Sequence, residues 1–192
     1  MIKRIISLVL TMCSLTCMAQ VTDYLKIGNT IKFNKENYTL GWSSHPNDGY
    51  YIQEYFPKEE RPETFKKMFT INVLVSEGIT PQLAAQAKCT ELDNRKKTDN
   101  CCHYKKYENK KSGEYMIDFL VSNGEKGKEP TVVEFNLYRY KAIKVNGKNA
   151  IQLSFYSQRA YNADVYNLLS KLVDIRTDVL SQMLDTDVKV GL

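Results

Sequence analysis

Apolar and polar residues alternate most regularly between positions 114 and 159. Tyr115, Ile117, Phe119 and Val121 share one parity, with Glu114, Asp118 and Ser122 on the other. A side-chain period of two predicts a strand with one buried face, although Met116 and Leu120 make the second face only partly polar. Val133, Phe135 and Leu137 repeat the pattern. Tyr138 and Tyr140 then carry it on the opposite parity, which predicts either a bulge near Leu137 to Arg139 or one long twisted strand. Asn146-Gly147 tolerates the positive φ angles of a two-residue hairpin turn. The returning strand sets Ile151, Leu153 and Phe155 against Gln152, Ser154 and Gln158. Three consecutive antiparallel strands follow from this pattern.

A sheet with an apolar face needs a cover. From Val165 the spacing becomes helical, through Leu168, Leu169, Leu172, Val173, Val179, Leu180 and Met183. Asn162 is the expected N-cap, with Asp164 favourably placed against the helix dipole. Upstream, the pattern predicts strands over Thr30 to Phe33, Tyr38 to Trp42, Tyr50 to Phe56 and Met68 to Val75. A turn-rich loop is expected from Ser43 to Gly49, and a short helical turn at Arg61-Pro62-Glu63. Thr80-Pro81 opens a further helix, whose apolar side is expected from Leu83, Ala84, Ala87 and Leu92. Cys101 to Tyr107 reads as a strand, and Asn123 to Lys128 as a flexible turn. Residues 20–29 read as a loosely held lead-in. The expectation is a single α+β domain over residues 30–192, an antiparallel sheet covered by helices.

Residues 1–19 are set apart. Lys3 and Arg4 precede an apolar run from Ile5 to Leu15, too short to span a bilayer, and Ala19 supplies the small residue before a cleavage point. This predicts a secretory signal peptide, and so a periplasmic or secreted protein. Cys17 offers the alternative of a lipoprotein, against which Leu15 lies one position too close to the cysteine. No later segment is apolar enough to cross a membrane. The formal net charge of +5 falls once Lys3 and Arg4 leave, and is too weak and too mixed to imply nucleic acid. Lys105-Lys106 and Lys110-Lys111 read as a solvated hairpin tip.

Three cysteines remain after the leader: Cys89, Cys101 and Cys102. In an oxidising compartment Cys89 is expected to pair with Cys101 or with Cys102, leaving one thiol over. Cys101-Cys102-His103 is also the only concentration of metal-loving side chains. With Cys89 it offers thiolate and imidazole ligands, at a spacing that fits no structural-zinc pattern. Only two histidines occur, so a histidine-rich metal site is excluded, and His45 reads as a loop residue rather than a base. No Gly-rich phosphate loop, G-x-S-x-G, H-E-x-x-H or C-x-x-C is present, and no cofactor motif. Trp42, Tyr50, Tyr51 and Tyr55 lie on two neighbouring strands. Exposed, they would form a contact surface for a protein or glycan; buried, they are core.

The order of elements resembles the PsbP-like fold, an antiparallel sheet between helices. Gln53-Glu54-Tyr55-Phe56-Pro57, followed by Phe65-Lys66-Lys67-Met68-Phe69-Thr70, resembles a pattern in small uncharacterised exported bacterial proteins. The Ala19-Gln20 junction resembles exported proteins of Bacteroidota. These likenesses imply a fold and a compartment and carry no catalytic residue. Three functional expectations result. One is a non-catalytic binding domain with a protein or glycan partner in the cell envelope. The second is a thiol or metal protein using Cys89, Cys101, Cys102 and His103. The third is an enzyme that no local motif discloses.

Overall fold

A computed structural model describes residues 21–124 and 128–192. The expected leader over residues 1–19, its Cys17 alternative and part of the turn from Asn123 to Lys128 lie outside the described residues. Eight strands form one antiparallel sheet: β1 (Thr30–Phe33), β2 (Glu36–Asn47), β3 (Tyr50–Phe56), β4 (Lys67–Val75), β5 (His103–Asn109), β6 (Glu114–Ser122), β7 (Val132–Val145) and β8 (Lys148–Tyr161). The helices are α1 (Pro81–Arg95), α2 (Asp164–Ser170) and α3 (Leu172–Asp185). The spatial order is β1-β2-β3-β4-β8-β7-β6-β5. Two meanders therefore meet at the β4–β8 pair, and α1 is the crossover that carries the chain from the middle of the sheet to its far edge.

Both faces of the sheet are packed. On one face, Phe69, Ile71, Val73, Phe135, Leu137 and Tyr156 form the main core with Val179 and Met183 of α3 and Val165 and Leu168 of α2. On the other, Ala85, Cys89 and Leu92 of α1 pack on Tyr115, Ile117, Phe119 and Tyr140. This two-sided burial explains the change of parity in β7. That strand keeps unbroken register with β6 and β8, with no bulge; Phe135 and Leu137 face α3, and Tyr138 and Tyr140 face α1. The irregularities lie instead in β2, between Leu40 and Trp42 and between Ser44 and Asn47.

Several local expectations change. The segment from Ser43 is not a loop; β2 runs on to Asn47. β1 pairs β2 only as far as Thr39, so the outer side of β2 is then an open edge, where Pro46 costs no ladder bond. The terminal helix breaks at Lys171, and the residue before α2 is Ala163, without a side-chain cap. Asn162 instead takes a positive φ of 48° and turns the chain. In α1 the buried positions are Pro81, Ala85, Cys89 and Leu92, while Leu83 is exposed. Thr80 does cap α1, accepting from Leu83 N at 3.2 Å. Asn146 and Gly147 make the expected hairpin turn, with φ of 48° and 79°.

The lead-in is held firmly rather than loosely. Leu25 is fully buried, and its N–H donates to Gln53 Oε1 at 2.7 Å. The C-terminal tail lies beside it, with Gly191 N donating to Leu25 O at 2.8 Å. Gln152 Nε2 fixes the same tail at Val188 O, 2.9 Å away. An ion pair to a buried carboxylate pins α3. Arg176 Nε donates to Asp118 Oδ2 at 2.9 Å, and the Tyr107 hydroxyl donates to the same oxygen at 2.6 Å. Burial makes an unpaired carboxylate costly, so this pairing fixes where α3 crosses the β5–β6 edge.

Candidate functional site

α1 packs on β5, β6 and β7. A second cover, the connection between β3 and β4, brings Phe65 onto Phe56, Met68 and Phe155. Between these covers part of the α1-side face, on β2, β3 and β4, has no helix over it, and the β8 side chains beside it are packed under the covers. The register sets its side chains in rows. Trp42 lies opposite Glu54, Glu54 opposite Thr70, and Thr70 opposite Phe155. The next row is Ser44, Ile52, Asn72 and Leu153, and the one after is Tyr50, Leu74 and Ile151.

Trp42 is 41% exposed and is the most exposed large apolar residue on the sheet. Beside it, Glu54 is half-buried and makes no hydrogen bond or ion pair with the described residues; burial pushes its carboxyl above the usual range. Thr70 is fully buried, yet its Oγ1 has no partner. Asn72 Oδ1 is likewise buried and unpartnered. Buried polar atoms are nearly always hydrogen-bonded, so these two on β4, with the half-buried Glu54 on the adjacent strand, mark this face. Asn72 also lines a cleft of about 150 Å³ between the sheet and the start of α1, with Tyr50, Leu74, Ile79, Tyr140 and Leu153. The lining is mainly apolar, with the Asn72 side chain and the Tyr50 and Tyr140 rings in its wall.

Larger hollows lie elsewhere, and a carboxylate in each is already engaged. One of about 390 Å³ sits at the β5–β6 hairpin beside Glu114, whose carboxylate holds Arg139 at 2.8 Å. One of about 520 Å³ sits beside Asp99, which accepts from Ser122 N and Ser122 Oγ, both at 2.7 Å. The lysines of the β5–β6 hairpin are exposed, as its reading as a solvated tip requires.

The four aromatic candidates divide between the faces. Trp42 and Tyr50 belong to the open face. Tyr55 is fully buried on the other, where its hydroxyl receives Gln53 Nε2 at 2.6 Å. Tyr51 shares that second face and stacks on His45 at 4.0 Å between ring centroids. His45 Nδ1 lies 3.1 Å from Tyr50 O, so this imidazole is a structural part of β2.

The cysteine group is also divided. Cys89, Cys101 and Cys102 are free thiols in this structure. Cys89 and Cys102 are buried in the α1-side cluster, whereas Cys101 packs against the opposite core. β5 begins at His103, not at Cys101. Cys101 sits in the preceding turn, its N–H donating to Asp99 Oδ1 at 3.0 Å. His103 is exposed, with Nδ1 2.6 Å from Cys102 O. Among the described residues no group of three His, Cys, Asp or Glu side chains is placed to hold a metal ion. Nor is any described helix long and apolar enough to cross a membrane.

Sequence alone pointed to Trp42 and Tyr50 but not to Glu54, Thr70 or Asn72. The available signal was the polar parity of Glu54, Thr70 and Asn72 on two strands, which by itself reads as a solvated face.

A family model matches residues 25–188. The chain belongs to that family. Its span runs from buried Leu25 to Val188, whose carbonyl anchors the tail, and so coincides with the folded unit. The family brings no assigned activity with it. No curated protein matches the chain.

Proposed function

We propose that this protein is an exported, non-catalytic binding domain, and that its contact surface is the open half of the α1-side face. The observation that carries this reading is the pair Trp42 and Glu54, facing each other on adjacent strands. It combines an exposed indole with a half-buried carboxylate without a cation, and the unpartnered hydroxyl of Thr70 lies buried beside them. Apolar surface with a few unsatisfied polar groups is the usual composition of a recognition site. The leader in residues 1–19 supports export to the periplasm or beyond, with acylation at Cys17 as the lesser route. A continuous antiparallel sheet with helices on both faces supports kinship with the PsbP-like fold. In an oxidising compartment the pairing that packing favours is Cys89 with Cys102, since both lie in one cluster.

The single tryptophan makes the surface directly measurable. Prodan, a neutral apolar dye, is expected to bind and to accept excitation energy from Trp42, and Leu74→Glu is expected to abolish the transfer. Dye uptake unaffected by Leu74→Glu, with no transfer from Trp42, sinks the reading. Mass spectrometry of protein from its native envelope tests the compartment. A mature chain starting at Gln20 with two protons lost supports it, and an intact Met1 start refutes it.

A further inference from the structure

We infer that the occupant of this face is an amphipathic helix of a partner protein, which sets a lysine or arginine over Trp42 and Glu54 and an apolar side chain into the Asn72 cleft. This rests on the binding reading above and specifies its partner.

The argument begins with space. Adjacent strands lie about 4.8 Å apart, so β4, β3 and β2 offer a strip roughly 10 Å wide, while Phe155 and Ile151 of β8 are already buried. A helix with its side chains is about 10 Å across, and one helix fits the strip beside α1. A sheet face is ordinarily covered by helices, and α1 covers only its own half.

Charge decides which helix. Glu54 is half-buried, and no cation among the described residues reaches it. A carboxylate withdrawn from water gains most from a cation that shares its site. Trp42 lies directly opposite Glu54 in register, and indole has the strongest cation–π attraction of the side chains. A carboxylate and an indole side by side thus favour an ammonium or guanidinium group, and a second carboxylate there is repelled. The chain already uses this device on its own half of the face. Lys88 of α1 places its ammonium 4.8 Å from the Phe119 ring centroid and 5.2 Å from that of Tyr138, while pairing with Glu91 at 2.8 Å. A second helix that repeats this arrangement completes the cover.

The cleft sets the second contact. Its volume of about 150 Å³ suits one apolar side chain. On β3 the cleft is lined by Tyr50, four residues from Glu54 and so about 13 Å away. Two helical turns rise about 11 Å. A basic residue and an apolar one two turns apart on the same helix face therefore reach both places.

The test uses the full mature protein and capped helical peptides about 16 residues long, with leucines at helical spacing and one lysine two turns from the leucine that enters the cleft. Affinity is read by Trp42 emission and by calorimetry. The lysine peptide is expected to bind at least tenfold more tightly than its norleucine counterpart, with the glutamate counterpart weaker still. Glu54→Gln is expected to erase the preference for lysine over norleucine while both still bind, and an unchanged melting curve establishes that this variant is folded. Equal affinity for the three peptides, or a lysine preference that survives Glu54→Gln, overturns the inference. Prodan transfer from Trp42 separates the two levels. Dye uptake without peptide discrimination refutes the basic helix alone, and absence of both refutes the binding face itself.

Discussion

The Arg139 guanidinium donates to the Met183 carbonyl at 2.8 Å, joining the middle of β7 to the last turn of α3. A second bond from the same nitrogen reaches Thr186 O at 2.9 Å, and Nε reaches Glu114 at 2.9 Å. One side chain thereby caps the open carbonyls at the helix end and neutralises a buried carboxylate. Arg139→Ala leaves Glu114 and two carbonyls unsatisfied and is expected to cost about 3 kcal/mol, or roughly 10 °C in Tm. Arg139→Lys recovers only part of this, because an ammonium lacks the planar fork. Calorimetric melting checks the stability, and faster amide exchange in residues 186–192 checks the location.

Asp99 joins the end of α1 to the end of β6. Burial works against its charge, but the N–H and hydroxyl of Ser122, the Arg95 side chain and the N–H of Cys101 together hold its carboxyl below the usual range. A depressed carboxylate contributes stability that is present above its unfolded value and lost as pH falls through the folded one. Asp99→Ala is expected to cost about 3 kcal/mol at neutral pH. Against the parent, the loss should shrink below pH 3.8, the ordinary value from which this group is lowered. Denaturant unfolding at neutral and acid pH measures both.

The order of elements was legible because strand and helix periods survive in the sequence wherever one face is buried. Phe69, Ile71 and Val73 alternate cleanly, and Asn146-Gly147 announces its own turn. β7 was harder. With helices on both faces its two parities are both apolar, and this imitates a bulge. The strand through Ser43 to Asn47 was hidden by turn-forming residues that an open sheet edge accepts. The candidate site was only half legible. Trp42 is conspicuous by type, but the orphaned state of Glu54, Thr70 and Asn72 depends on how far α1 extends over the sheet. That is a tertiary relationship between residues at positions 54–72 and 81–95, with no local trace.

The three thiols are expected to differ in reactivity in the reduced protein. Burial pushes the Cys89 thiol up. Burial also raises Cys102, assisted by the neighbouring Asp99 charge. Since the thiolate is the nucleophile, both should alkylate slowly, and partly exposed Cys101 first. Timed iodoacetamide labelling with peptide mapping reads the order. Rapid labelling of Cys89 before Cys101 would contradict the burial described for α1.

Glu54 gives a prediction of opposite sign to that for Asp99. Burial raises its carboxyl above the usual value of 4.5, so the folded state holds its proton more tightly than the unfolded chain. Stability from this group is greatest below that ordinary value and is lost as pH rises through the elevated folded one. Glu54→Gln removes the charge and keeps the shape. It is expected to raise Tm by roughly 1–3 °C at neutral pH, within the range for a partly exposed position, and to leave Tm unchanged in acid. A partner cation would relieve the same cost in the parent, so bound ligand should stabilise the parent more than Glu54→Gln. Melting curves of both proteins at two pH values, with and without the lysine peptide, measure this difference. A variant less stable than the parent at neutral pH would mean that the carboxylate has a stabilising partner, and the face would lose its charge as a recognition element.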